Sequence, residues 1–159
     1  MSLKLPDPQA LRDALGMILD DACPLQPAAT PIDLAARPGT VRGALLLDDD
    51  GEPQGAVLAD VAATVYLGGS LIMIPAGAQQ DQVAADAPAE AVLDAMAEVV
   101  NILRGSINAV PGNPHVSPGP LSSLPELTAA HPWLVEPTAR LDLAGPLPCG
   151  EGCLVVLAR

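Results

Sequence analysis

Residues 87–106 constrain the fold more than any other segment, because their pattern predicts a long helix that is apolar over most of its circumference. The apolar positions are Val92, Leu93, Met96, Val99, Val100, Ile102 and Leu103. The polar positions are Glu90, Asp94, Glu98, Asn101 and Arg104. They are three or four residues apart and therefore share about a third of the helix surface. Such a helix must be nearly buried, with one narrow polar ridge at the surface.

The rest of the domain must pack against this helix through a core of small aliphatic side chains. The chain has 159 residues, of which 50% are hydrophobic, so it can bury one sizeable core. It contains no Phe, one Trp and one Tyr, and Ala, Leu, Val, Ile and Met must therefore fill that core. Small side chains favour close contacts between helices, or between helices and a sheet. We expect a single domain over residues 1–159.

Two pairs of strands are predicted on either side of the helices. Residues 41–47 and 55–59 are apolar runs around an Asp-Asp-Asp-Gly turn, which is typical of a hairpin. Residues 138–143 and 153–158 form two closing strands. The chain is therefore assigned to the α/β (α+β) class, with an antiparallel or mixed sheet and long helices packed on one face.

The remaining segments are predicted from helical periodicity and from proline and glycine content. They are a helix over residues 8–22 that begins after Asp7, a Pro-rich connector over 23–39, a helix over 60–73 that breaks or bends near Gly68-Gly69, a short helix over 78–84, and a long loop over 108–126 with one short strand at 115–117.

Charge and composition exclude several classes of function. The formal net charge is −12, and the chain lacks the basic patches and aromatic platforms that nucleic-acid binding requires. No apolar run is long enough to cross a membrane, and the N-terminus does not resemble a signal peptide. Three cysteines without framework spacing suit a reducing compartment. We therefore expect a cytoplasmic protein that binds neither nucleic acid nor membrane.

Other candidate sites have simpler interpretations. Cys149 and Cys153 have metal-ligand character, but no second Cys/His cluster accompanies them, so ordinary thiols beside a tight turn are favoured. The acidic run before Gly51 lacks the alternating ligands of a calcium loop and is interpreted as a solvated turn. No Ser or Cys has the setting of a hydrolytic nucleophile. No metal or cofactor site is assigned to this chain.

The polar ridge carries the pattern Asp94-x-x-x-Glu98-x-x-Asn101. The simplest explanation is that a helix lying on a sheet turns polar residues towards water. Asn101 fits that explanation poorly, because Asn is a mediocre residue in the middle of a helix, where its amide competes with the backbone.

The pattern resembles the active-site motif of the CheC/CheX/FliY phosphatases, in which an acidic or Ser residue, a Glu and an Asn line one helix face. The hairpin V-R-G-A-L-L-L-D-D-D-G-E-P-Q-G-A-V-L and the position of Gly105 are similar to that family too. The resemblance covers about residues 41–125, whereas 1–39 and 126–159 add little. There is one such helix, as in CheX, since residues 60–73 lack the pair. The family also has a Pro at a later position, and Pro125 lies one residue beyond the spacing expected after Asn101.

The resemblance implies a CheX-like fold and hydrolysis of the aspartyl phosphate of a response-regulator receiver domain, in chemotaxis or two-component signalling. It implies that Asn101 orients the attacking water, that Glu98 pairs with the receiver's Lys, and that Asp94 supports that contact. The Mg²⁺ is expected on the receiver, and a homodimer is possible. Two alternatives stay open: a non-catalytic adaptor of the same fold that docks on a signalling partner, and an unrelated α/β domain whose polar stripe is coincidental.

Overall fold

Residues 2–159 are described by a computed structural model, in which every strand pairing is antiparallel. The strands are β1 (Gln26–Pro27), β2 (Arg42–Leu47), β3 (Pro53–Ala59), β4 (Ser117–Pro118), β5 (Ser122–Ser123), β6 (Ala139–Leu147) and β7 (Gly150–Ala158). The sheet runs in the order β1-β6-β7-β3-β2, and β4 and β5 both pair with the outer edge of β2. The two long hairpins therefore join through the β3–β7 pairing at the centre.

Within residues 2–159, five α-helices accompany the sheet: α1 (Pro8–Leu19), α2 (Val61–Leu71), α3 (Ala76–Ala84), α4 (Glu90–Asn108) and α5 (Leu124–Ala130). Short 3-10 turns occur at Leu34–Ala36 and Pro132–Leu134. Helices α1, α2 and α4 contact one another and cover one face of the sheet. This confirms the predicted class, an α/β fold with long helices packed on one face of an antiparallel sheet. No helix of residues 2–159 is both long and apolar enough to cross a membrane.

The main core lies between these three helices and the sheet. Alternate strand residues such as Leu46, Val57 and Val156 point into it and meet Leu67 of α2 and Leu103 of α4. Aliphatic side chains dominate this core, as the composition predicts, and close helix packing replaces aromatic filling.

The opposite face of the sheet is covered more lightly. The intervening strand residues, such as Leu58 and Val155, pack there against Leu127 of α5, Leu134 and the half-buried Trp133. A cavity of about 800 Å³ lies on this face between the connector and α5. No residue of α4 lines this cavity.

Several predicted elements differ from the structure, and the first helix, for example, ends at Leu19. The predicted helix over 60–73 does not break near Gly68, because α2 is one continuous helix through both glycines. The expected loop over 108–126 contains β4 and β5 and ends in α5, whose first turn is fixed by a capping box between Ser123 and Glu126. The closing strands extend further towards each other than predicted, leaving Pro148-Cys149 between them.

Candidate functional site

Helix α4 is held by a buried apolar side and presents its polar ridge outwards. The buried residues are Val92, Ala95, Met96, Val99, Val100, Leu103 and Ile107. They recur every three or four positions, which orients the helix about its axis. Glu90 lies in the first turn, where a carboxylate interacts favourably with the helix dipole.

The C-terminal end of α4 is fastened by two asparagines. The Asn108 side chain donates to the Val116 carbonyl at 3.0 Å and accepts from the Val116 amide at 2.9 Å. Asn113 donates to the carbonyls of Ile107 and Lys4, each at 2.8 Å, and accepts from the Lys4 amide at 2.8 Å. Because these contacts lie in different parts of the chain, the last turns of α4 are held at a defined position.

The three predicted site residues lie on the exposed side of α4. Asp94 and Glu98 are exposed, and Asn101 is half-buried. The Asn101 Nδ2 donates to Glu98 Oε1 across one helical turn, at 3.4 Å. This distance is at the long end for a hydrogen bond, so the carboxamide is only loosely held. Asp94 lies one turn before Glu98, and the three side chains form one continuous edge.

The arrangement leaves hydrogen-bonding capacity free at the surface. Among residues 2–159, no group donates a hydrogen bond to the Asn101 side-chain oxygen, and Asn101 does not bond to the backbone. A carboxamide can donate and accept at once, whereas a carboxylate only accepts. A half-buried Asn with a free side-chain oxygen, beside an exposed Glu, can therefore hold a water molecule and contact a cation in one docked complex.

Other residues considered from the sequence lie away from this edge. Pro125 is in the first turn of α5, on the opposite face of the sheet. Helix α2 begins at Asp60, whose carboxylate caps it, and its sequence contains no second Glu/Asn pair. No group of three or more His, Cys, Asp or Glu side chains within residues 2–159 could hold a metal ion.

The two cysteines near the β6–β7 turn are free thiols in contact with backbone or core. Cys149 donates to the Ala62 carbonyl at 3.5 Å, and Cys153 is buried. Burial, together with the nearby Asp60 carboxylate, raises the pKa of Cys153 to about 12. A thiol with so high a pKa is a poor nucleophile and a poor metal ligand at neutral pH.

Arg104 also lies on the ridge, and the sequence predicts no role for it. It lies one turn after Asn101 and is half-buried, and its Nε is buried without a hydrogen-bond partner. The spacing after Asn101 places it on the ridge, but its lack of a partner depends on neighbours that only the folded chain reveals.

No family model and no curated protein matches this sequence. Solved structures do match it over nearly its whole length. One chain of the CheX–CheY–BeF3–Mg²⁺ complex from Borrelia burgdorferi is 15% identical, with a TM-score of 0.54, over 94% of this chain and 95% of that one.

Two further structures match in the same way. CheX from Vibrio vulnificus is 12% identical with a TM-score of 0.53, over 95% of each chain. A CheC-like superfamily protein from Shewanella is 12% identical with a TM-score of 0.52, over 95% of this chain and 93% of that one. The chain therefore has the fold of the CheX and CheC-like proteins.

Proposed function

We propose that this chain is a CheX-like phosphatase that hydrolyses the aspartyl phosphate of a response-regulator receiver domain. The observation that carries the proposal is the half-buried Asn101 carboxamide beside the exposed Glu98 carboxylate, on the outward side of helix α4. The similarity in fold to CheX, one structure of which was solved as a complex with CheY, supports a CheY-like receiver as the partner.

The proposed hydrolysis requires an oriented water molecule rather than a nucleophilic side chain. Water attacks the phosphorus, the bond from phosphorus to the aspartyl oxygen breaks, and inorganic phosphate leaves while the free carboxylate is restored. Such reactions depend mainly on positioning and on electrostatic stabilisation, so one aiming group has a large effect. In this proposal the Asn101 carboxamide accepts a hydrogen bond from the water and holds it in line with the phosphorus.

Glu98 and Asp94 supply the docking contacts. Both carboxylates are exposed, so neither must be dehydrated within the free chain. We assign Glu98 to a charge-assisted hydrogen bond with a Lys of the receiver, which fixes the angle of docking. Asp94, one turn earlier on the same edge, adds to the negative potential that attracts this Lys. The Mg²⁺ in this scheme belongs to the receiver.

The shape of the site supports a substrate that is itself a protein. Asp94 and Glu98 lie on an exposed helix edge, and the cavity on the other face of the sheet has no access to them. Small substrates are usually bound in clefts that bury most of their surface. A raised edge instead reaches into a groove on a partner, where the partner supplies the enclosure.

The test is phosphate release from receiver domains of the same genome, after phosphorylation with a small phosphodonor. We expect the native chain to accelerate release and Asn101→Ala to lower the rate by about 100-fold or more, because the water loses its orientation. Glu90→Ala serves as the control, since it removes an exposed carboxylate two turns before Glu98. Its rate should stay near that of the native chain.

Binding of the same receivers with beryllofluoride in place of the phosphoryl group separates the alternatives. Asn101→Ala should bind as the native chain does, since the substitution removes the aiming group and keeps the docking carboxylates. Binding without accelerated release would instead identify a non-catalytic adaptor. Neither binding nor release, for any receiver, would show that the polar ridge is an ordinary solvent-facing stripe.

A further inference from the structure

The chain has seven basic residues, and six of them are engaged within the fold. Each of the six donates a hydrogen bond to another residue of the chain: Lys4, Arg12, Arg37, Arg42, Arg140 and Arg159. Arg104 differs, because it makes no hydrogen bond or ion pair with any of residues 2–159, and its Nε is buried without a partner. A guanidinium carries five donors, and leaving a buried one unpaired costs free energy.

The position of Arg104 ties this unpaired cation to the proposed site. It follows Asn101 by three residues, which places it about 60° around the helix and about 4.5 Å further along the axis. Long side chains on a helix lean back over the preceding turn, and the flank on the N-terminal side of Arg104 carries Asn101 and Ala97. Ala97 is exposed and small, and therefore leaves that flank open to a partner.

The ridge consequently has a charge polarity. Its N-terminal part carries the exposed carboxylates of Asp94 and Glu98, and its C-terminal flank carries the guanidinium of Arg104. Asn101 lies between them. A docked surface that matches this pattern must place a cation opposite Glu98 and an anion opposite Arg104. Reversing the orientation of the partner would bring like charges together, which disfavours the wrong complex.

We propose that Arg104 is a positioning residue that pairs with a carboxylate of the receiver beside its phosphorylated Asp, and so fixes the orientation in which Asn101 meets the phosphoryl group. This inference rests on the proposed function. A carboxylate is favoured over the phosphoryl group because Arg104 lies about 60° around the helix from Asn101, to the side of the edge that Asn101 and Glu98 form. Bidentate pairing with a carboxylate suits a planar guanidinium.

The test measures phosphate release against receiver concentration for Arg104→Ala, Arg104→Lys and Arg104→Glu. Arg104→Ala should raise KM by about threefold to fivefold at low salt, as expected for one exposed ion pair, with kcat within about twofold of native. Arg104→Glu should raise KM by about tenfold or more, since it repels the carboxylate. Arg104→Lys should keep KM within about twofold, because the charge stays.

Arg159→Glu is the matched control, because it makes the same change in net charge at an exposed arginine that follows β7 and lies outside α4. Its KM should remain near native. The effect of Arg104→Glu should also vanish at about 1 M salt, where the screening length is about 3 Å, whereas a loss of structure would persist. Thermal unfolding of each variant shows whether a change in KM is accompanied by a change in stability.

Four results would overturn the inference. An unchanged KM in Arg104→Glu, with Asn101→Ala inactive, removes Arg104 from docking and leaves the proposed function intact. A loss of kcat in Arg104→Ala with KM unchanged places the guanidinium on the phosphoryl group instead. An equal rise of KM in Arg159→Glu shows an effect of net charge alone. Failure of the native chain to accelerate release from any receiver overturns the proposed function and this inference together.

Discussion

Arg37 and Asp60 form an ion pair of 2.8 Å, and the Asp60 side chain is only 2% exposed. The same carboxylate accepts hydrogen bonds from the Ala63 amide at 2.9 Å and from the Cys153 amide at 3.2 Å. Arg37 also donates to the Glu151 carbonyl at 3.0 Å. This one pair therefore joins the Pro-rich connector to the start of α2 and to β7, and all the lone pairs of a buried charge find partners.

Arg37→Ala should lower the free energy of unfolding by about 3–5 kcal/mol, because it leaves the buried Asp60 carboxylate without its counter-charge. Arg159→Ala removes an exposed arginine whose contact with Glu52 spans 3.9 Å, and should cost no more than about 1 kcal/mol. Urea unfolding of the two variants measures the difference. Equal losses would mean that the connector is not held through Asp60.

The parts of the fold that the sequence predicted are those with a clear period. Helix α4, the β2–β3 hairpin and the closing strands each contain a run whose spacing indicates both the element and its buried side. Helix α5 was missed because its few apolar residues lie among Pro and Ser, and its start is set by a capping box. Strands β4 and β5 have two residues each and exist only because β2 offers them an edge.

The candidate site was accessible from the sequence because one helix carries all of it. Residues at i, i+4 and i+7 must share a side of any α-helix, whatever the rest of the chain does. The isolation of Arg104 was not accessible in this way. Whether a guanidinium finds a carbonyl or carboxylate depends on residues far away in the chain, as Arg37 and its contact with Asp60 show.

Gly68 lies where α2 and α4 touch. The close contact between the two helices at this point explains why Gly68 and Gly69 do not break α2. A Cβ at Gly68 would lie 2.5 Å from the Val92 carbonyl oxygen and 3.1 Å from the Met96 amide nitrogen. Both are backbone atoms of α4, so neither can move without moving the helix. The glycine therefore permits a close approach that a side chain would prevent.

Gly68→Ala should destabilise the protein by about 1–3 kcal/mol through this overlap, although alanine is the better helix former. The displacement of α4 should also lower any phosphatase activity, because the site depends on the position of that helix. Urea unfolding and phosphate release measure the two effects. A variant as stable as the native chain would contradict the close packing.

The buried thiols predict how stability varies at alkaline pH. Burial raises the pKa of Cys153 to about 12, while a thiol in the unfolded chain titrates near about 8.5. The folded state therefore holds its proton more tightly. The resulting stability is fully present below about pH 8.5 and is lost progressively as pH rises towards 12.

Unfolding measured at a series of pH values from about 8 to about 10 should show this fall, because that range includes the pKa of about 8.5 of the thiol in the unfolded chain. Cys153→Ala has no thiol to titrate at this position and should show a shallower slope, whatever its absolute stability. Thiol labelling at pH 8 should be slow in the native protein and complete after denaturation. Rapid labelling of Cys153 in the folded chain would contradict its burial.

Gly105 sets a test of the proposed docking edge. It is exposed within α4, and a Cβ there would meet no atom of residues 2–159 within 4 Å. Gly105→Ala should therefore raise the free energy of unfolding by about 1 kcal/mol, since glycine is a poor helix former. Nothing in the isolated fold requires glycine at this position.

A docked receiver would explain why position 105 is a glycine. Gly105 lies one turn after Asn101 on the same edge, where a missing side chain lets the partner's backbone approach closely. Gly105→Ala should then slow phosphate release several-fold while it stabilises the chain, because displacement of the receiver by even about 1 Å disturbs the aligned water. Gly77→Ala in α3, whose Cβ also meets nothing within 4 Å, should leave the rate unchanged. Equal rates for both variants would mean that the receiver does not approach α4 at Gly105.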